Sequence, residues 1–390
     1  MTARPLRVLV VDDSVVHRQT ISELLKGAEG IEIVGKAANG EEALRMAALV
    51  APDLITLDLE MPRMDGFTFL RILMTRQPTP VIVISSLSQR ENVFKALELG
   101  ALDFVARPVG GPAELATMRD ELLSRVQVVR MLRPVTGLGP IRPTTGSFGA
   151  MSSVQAAQLV TGRTPSDKPL GPPTPPSTVT AATPTSATVL ANRTPGTTGR
   201  LLPRKLVVIG ASTGGPQAIL DLVGRIPAST QAGFVVAQHM PERFTRTFAD
   251  RLGRRAAIRV AEAEDGSLVE AGTLWILPGG RSSDIEVDAA GLPRVRVVPV
   301  DPADRHVPSV ERLFRSAASA WGSRVLAVVM TGMGDDGAIA LQSLRDVGAE
   351  IWVESADTAI VDGMPAAARK TGTANQVLAL STLISRLAQQ

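Results

Sequence analysis

No cysteine occurs among the 390 residues, which excludes disulfides, thiolate chemistry and cysteine metal sites. Histidine is almost as scarce. His17, His239 and His306 are the only three, so a site built from several imidazoles is not expected. Long apolar runs are missing too. Behind Arg4 the first run reaches only from Val8 to Val11 before Asp12 and Asp13 interrupt it, too short for a signal peptide. No window attains the length of a membrane span, so a cytoplasmic protein without membrane insertion is expected. The net charge is only +3, and the basic residues are dispersed rather than gathered beside aromatics. Nucleic acid is therefore not an expected partner.

What is present suffices for two cored domains: 390 residues, of which 44% are hydrophobic. Between Pro134 and Arg200 the pattern collapses into Pro, Thr, Ser, Gly and Ala, with Asp167 the single acidic residue. Such a stretch buries too little apolar surface to offset chain entropy and reads as a disordered linker, with one helix-like piece from Ser152 to Val160. The chain divides into a domain over 1–125, a linker over 126–202 and a domain over 203–390. A linker of this length reaches about 45 Å or more, and each doubling of length adds only about 0.6 kcal/mol to closure. Such a linker could tether either docked or separated domains.

In the first domain, strands are predicted at Leu6 to Val11, Ile31 to Lys36, Leu54 to Leu57, Val81 to Ile84 and Asp103 to Ala106. Helical spacing fills the intervals Ser14 to Lys26, Glu41 to Leu49, Gly66 to Met74 and Arg90 to Leu99, with Ser14 and Asn39 as starts. The alternation predicts an α/β fold with a doubly wound parallel sheet. The same alternation resumes at Leu206 and runs to about Leu387, so a second doubly wound domain is expected.

On a 2-1-3-4-5 sheet, Asp12 and Asp13 after the first strand and Asp58 after the third converge at the switch point. Three carboxylates so close repel one another unless a hard cation sits among them, and Mg²⁺ accepts such ligands while leaving room for phosphate oxygens. Asp58 could then attack a phosphoryl group, with Ser85 and Arg107, at the ends of the fourth and fifth strands, holding its oxygens. Taken singly, Asp12 and Asp13 read as helix caps and Asp58 as a loop carboxylate. The set in this order favours the functional reading.

The motifs VVDDS, LDLEMPRMDG, VISS and DFVARP resemble a response-regulator receiver domain over about residues 4–125. The resemblance implies Asp58 as the phosphoryl acceptor, Asp13 and Asp58 as Mg²⁺ ligands with Asp12 beside them, and Ser85 as the switch hydroxyl. Receivers usually carry Lys where this chain has Arg107, and a planar guanidinium is not a compact ammonium.

In the second domain three short apolar runs each end in a different member of a hydrolytic triad. Leu206 to Ile209 precedes Ser212, Phe234 to Ala237 precedes His239, and Val325 to Met330 precedes Asp336. The turn from Gly210 to Gly215 (GASTGG) leads into a helix that Pro216 helps begin, and its N–H groups favour negative charge. The turn also reads as a phosphate-binding loop, but it is neither GxGxxG nor GxxxxGK[ST], and it is not the GxSxG elbow. His17 reads as solvated. His306 follows a loop and suits substrate or capping contacts, and Asp335 competes with Asp336 until geometry separates them. Arginines 243, 246, 251, 254 and 255 read either as a solvated helix face or as a docking surface for an acidic partner.

IGASTGGP, QHMPERFTRTFADRL, RHVPSVERLF, MTGMGDDG and VDGMPAAA resemble the catalytic domain of the chemotaxis methylesterase family, CheB, over about residues 203–388. The resemblance implies a triad of Ser212, His239 and Asp336, with the backbone around Met333, and a donor beside Thr213, forming the oxyanion site. Arg281 stands where relatives often have His, and Asp335 where Asn is common. It also implies a serine carboxylesterase that hydrolyses glutamyl methyl esters on chemoreceptor helices, releasing methanol, and deamidates receptor glutamines, with no cofactor in the esterase. A histidine kinase is implied as the phosphodonor that relieves a receiver-covered cleft. The alternatives are a receiver-controlled scaffold protein without turnover and, more distantly, a nucleotide-dependent oxidoreductase.

Overall fold

A computed structural model describes residues 4–26, 28–86, 90–107, 111–131 and 202–390. The linker expected over 126–202, with its helix-like piece from Ser152 to Val160, lies outside the described residues except at its two ends. At the first of these, the fifth helix runs from Pro112 to Met131, so the boundary expected at 125 falls inside a helix.

The N-terminal part runs β1 (Leu6–Val11), α1 (Val15–Lys26), β2 (Ile31–Ala37), α2 (Gly40–Val50), β3 (Leu54–Leu57), α3 (Gly66–Arg76), β4 (Val81–Ser86), α4 (Arg90–Glu98), β5 (Asp103–Arg107) and α5 (Pro112–Met131). Its sheet has the order β2-β1-β3-β4-β5 with every pairing parallel, as expected. β3 is buried throughout because helices cover both faces. α2 starts at the expected Asn39, whose side chain accepts the Glu42 N–H, while the Glu42 carboxylate accepts the Ala38 N–H in return.

The C-terminal part runs β6 (Lys205–Ala211), α6 (Gly215–Val223), β7 (Ala232–Gln238), α7 (Thr245–Gly253), β8 (Arg259–Glu262), β9 (Ser267–Leu268), β10 (Thr273–Ile276), β11 (Ser282–Val287), β12 (Pro293–Val298), α8 (Val310–Trp321), β13 (Val325–Val329), α9 (Ala340–Asp346), β14 (Glu350–Glu354), α10 (Gly363–Lys370), β15 (Gln376–Leu378) and α11 (Leu380–Leu387). Seven parallel strands form the main sheet in the order β15-β14-β13-β6-β7-β10-β8. β7, β10 and β8 lie on one side of β6, and β13, β14 and β15 follow outward on the other, so the switch point lies between β6 and β13. A second sheet, β11-β12-β9, is antiparallel and was not expected. β11 from Ser283 to Glu286 and β12 from Pro293 to Arg296 alternate buried and wetter positions, a pattern that a search for continuous apolar runs passes over.

The two parts belong to one compact unit. Phe94 of α4 stacks on Phe248 of α7 with centroids 5.4 Å apart, and Phe104 of β5 lies 4.6 Å from Phe244. Ion pairs flank these rings. Arg251 and Arg255 reach Glu98 at 2.6 and 3.0 Å, and Arg254 reaches Glu91 at 3.3 Å. The arginine set is therefore corrected. Three of its members bind acids of α4 in the same chain, the Arg243 backbone oxygen accepts from the Arg90 guanidinium, and Arg246 is exposed.

Candidate functional site

Two sites lie at carboxyl ends of strands. In the first, Asp12 and Asp13 after β1 and Asp58 after β3 bring carboxylate oxygens within 4.8 Å of one another. Asp12 and Asp58 are buried, Asp13 exposed. Burial pushes the Asp58 carboxyl up to about 6 although Arg107 opposes it, with Asp12 pushing the same way. Burial also raises Asp12 against the pull of Arg107. The Arg107 guanidinium lies 2.8 Å from Asp12 Oδ2 and 3.6 Å from Asp58 Oδ1. One guanidinium leaves this pair short of positive charge, and the all-oxygen donor set fits a hard divalent cation. Ser85 is buried near the end of β4, beside the site's strand. His17, expected to be solvated, is half-exposed with Nδ1 3.5 Å from Asp12 Oδ1.

In the second site, Ser212, His239 and Asp336 follow the adjacent strands β6, β7 and β13. His239 Nε2 lies 2.8 Å from Asp336 Oδ2. The carboxylate is held at the start of α8, where Oδ2 accepts the Val310 N–H at 2.8 Å and Oδ1 the Glu311 N–H at 2.9 Å. Burial pushes Asp336 up, but the His239 hydrogen bond and charge with these two N–H groups more than offset it, and the carboxyl falls below its ordinary 3.8. An ionised acceptor fixes the proton on Nε2 and leaves Nδ1 as the basic nitrogen. Asp335 faces outward, 59% exposed, with Arg305 at 3.8 Å. This separates the two aspartates.

Ser212 is placed by its backbone: its N–H donates to the Thr331 oxygen at 3.0 Å, and the His239 N–H to the Ala211 oxygen at 3.0 Å. Gly332 lets the loop after β13 come this close, since a Cβ there would stand 2.8 Å from Ser212 Cβ. Gln238, missed in the sequence, is buried and donates from Nε2 to the backbone oxygens of Ser212 at 2.9 Å and His239 at 3.1 Å. Its only signal is its position at the buried end of β7. His306, expected to make substrate or capping contacts, stacks its ring on His239, centroids 4.8 Å apart. Burial and the His239 charge hold it below its ordinary 6.5.

Both residues expected at the oxyanion site are touched by the N-terminal part. The Thr213 hydroxyl donates to Asp103 Oδ2 at 2.5 Å, and Ser124 Oγ lies 3.6 Å from Met333 Sδ. Arg125 stands 3.5 Å from the same Asp103 oxygen. Among the described residues no helix is long and apolar enough to cross a membrane.

The family model for CheB methylesterase matches residues 207–387, and that for the response regulator receiver domain matches residues 8–119. The protein-glutamate methylesterase/protein-glutamine glutaminase 6 of Anaeromyxobacter dehalogenans is 42% identical over 99% of this chain and 96% of its own length. That numbered 3 in Geobacter sulfurreducens is 41% identical over 99% of this chain and 98% of its own length. The crystal structure of the Thermotoga maritima CheB methylesterase catalytic domain matches at 33% identity and a TM-score of 0.46, covering 47% of this chain and 97% of that one.

Proposed function

The chain belongs to the protein-glutamate methylesterase/protein-glutamine glutaminase family, and from that premise we propose that Ser212 hydrolyses glutamyl methyl esters and glutamine amides on cytoplasmic chemoreceptor helices. The observation that carries the assignment is the His239–Asp336 pair beside the Ser212 turn. Ser212 Oγ attacks the ester carbonyl as His239 Nδ1 takes the hydroxyl proton, and the Asp336 carboxylate steadies the imidazolium. Backbone N–H groups near Met333 and Thr213 receive the oxyanion. His239 returns its proton to the leaving methoxide, methanol departs, and an acyl-enzyme remains. Water then attacks with His239 again as base, freeing glutamate and restoring Ser212. With a glutamine substrate the leaving group is ammonia.

Regulation enters through Asp58, which accepts the phosphoryl group of a histidine kinase as its carboxylate. A Mg²⁺ ion held by Asp12, Asp13 and Asp58 would supply charge neutralisation there. Ser85 and Arg107 bind phosphoryl oxygens, and the contacts of Asp103 and Ser124 with the esterase loops are the ones that phosphorylation releases. The enzyme is placed in the cytoplasm, where kinase and receptor helices meet. The scaffold reading finds no support among the relatives.

The test is methanol release from methylated receptor. Ser212→Ala is expected to lose about 10⁴- to 10⁶-fold in turnover, and near-normal release would end this mechanism.

A further inference from the structure

A fully buried carboxylate that the chemistry above does not use stands behind the nucleophile. Glu354 closes β14 with no solvent exposure. Its Oε2 accepts the Thr331 N–H at 2.8 Å, and its Oε1 accepts the Thr358 hydroxyl at 3.1 Å. Among the described residues no cationic side chain pairs with it. The nearby Arg369 guanidinium donates to the Glu354 backbone oxygen and to the Asp362 carboxylate. A buried carboxylate without a counter-charge is costly, and its geometry shows what it holds.

Thr331 is the hub. Its oxygen accepts the Ser212 N–H at 3.0 Å, and its hydroxyl donates to the Thr213 oxygen at 2.9 Å while accepting the Val361 N–H at 2.9 Å. The next two residues are Gly332, tied to Val361 and Met364, and Met333. We propose that Glu354 is a positioning residue, which fixes Thr331 from behind and so sets the spacing between the Ser212 nucleophile and the oxyanion donors near Met333. The proposal rests on Ser212 being the nucleophile. Geometry of this kind matters at the scale of 1 Å, where misplacement costs about 10²-fold.

The charge state adds a signature. Burial pushes the Glu354 carboxyl up to about 6, Thr331 and Thr358 pulling it down and Asp362 pushing it further up. Asp362 and Arg369 are the charged groups beside it. As pH falls through about 6 the carboxylate gains a proton and its hold on the Thr331 N–H loses the assistance of charge.

The test uses the full chain activated by a phosphodonor, with Glu354→Ala, Glu354→Gln and Ser212→Ala side by side. Turnover and KM are measured on methylated receptor, labelling by a fluorophosphonate serine probe is timed, and thermal melting checks folding. Glu354→Ala is expected to lower kcat and probe labelling about 10- to 100-fold with KM held within about twofold. Glu354→Gln, whose amide oxygen can still accept the Thr331 N–H, is expected to recover most of the loss and to show a shallower fall of kcat below pH 6 than the parent. Should Glu354→Gln melt as the parent yet label at the Ala variant's rate, or titrate with the parent's slope, the proposal is overturned. An unaffected Glu354→Ala overturns it equally. Ser212→Ala separates the two readings: if it turns over normally the nucleophile is wrong, and if it is dead while Glu354→Ala is normal only the positioning fails.

Discussion

Thr213, next to Ser212, donates its hydroxyl to Asp103 of the receiver across 2.5 Å. The contact lies at the opposite end of β5 from Arg107, so the strand links the acidic pocket to the esterase loop. A hydrogen bond to a charged group contributes about 1.5–3 kcal/mol. Asp103→Ala is therefore expected to raise methanol release by the unphosphorylated full chain about tenfold or more. A basal rate equal to the parent's would show that this bond does not restrain the site.

The arginines on and just after α7 reverse the expected effect of salt. Had they steered an acidic receptor, rates would fall as salt rises. Arg251, Arg254 and Arg255 instead bind Glu91 and Glu98; the exposed Arg254–Glu91 pair contributes about 0–1 kcal/mol and is screened by salt, the more buried Arg251–Glu98 pair less so. The unphosphorylated full chain is expected to speed up between about 0.05 and 0.5 M salt, and a chain beginning at Leu202 is not. Truncation removes the Asp103 bond together with these ion pairs, so the ratio of truncated to full-chain basal rate is expected to be at least that of Asp103→Ala, about tenfold. A truncated chain no faster than the full chain would overturn this restraint.

His306 stacks on His239 but makes no bond to Asp336. His239→Ala is expected to cost about 10⁴-fold in turnover, and His306→Ala about tenfold, through lost packing. Equal losses would reopen the choice of base.

The acidic pocket predicts dependence on a divalent cation. Removing metal with a chelator, or Asp58→Asn, is expected to abolish labelling of the chain by a small acyl phosphate and its stimulation of the esterase. Labelling that survives either treatment would refute the pocket's assignment.

Glu354 also has a stability signature. Its carboxyl is held at about 6 against an ordinary 4.5, so the folded chain binds the extra proton between these values and gains stability as pH falls from about 6 toward 4.5. At neutral pH the buried charge costs the fold about 2 kcal/mol. The melting temperature of Glu354→Gln relative to the parent is expected to rise between pH 4.5 and 7.5, and a pH-independent difference would contradict this.

Residue types and strand ends were legible because short runs of Val, Ile and Leu bounded by Gly or polar residues mark buried strands wherever they pair. Asn39, Ser212, His239 and Asp58 could be placed this way. β11 and β12 could not, since their alternating pattern reports a one-sided sheet. Gln238 and Glu354 were also invisible, because a buried polar residue reveals its purpose only through its partners.

The sequence by itself determined which side chains stand at the ends of β1, β3, β6, β7 and β13, since local patterning sets strand limits and loop chemistry. Only the tertiary structure decided how they act. Strand order seats β13 against β6, the N–H groups at the start of α8 hold Asp336 rather than Asp335, and the Asp336 bond engages His239 through Nε2. The contact of Asp103 with Thr213 joins residues 110 positions apart. Such pairings depend on packing between layers, which no local pattern encodes.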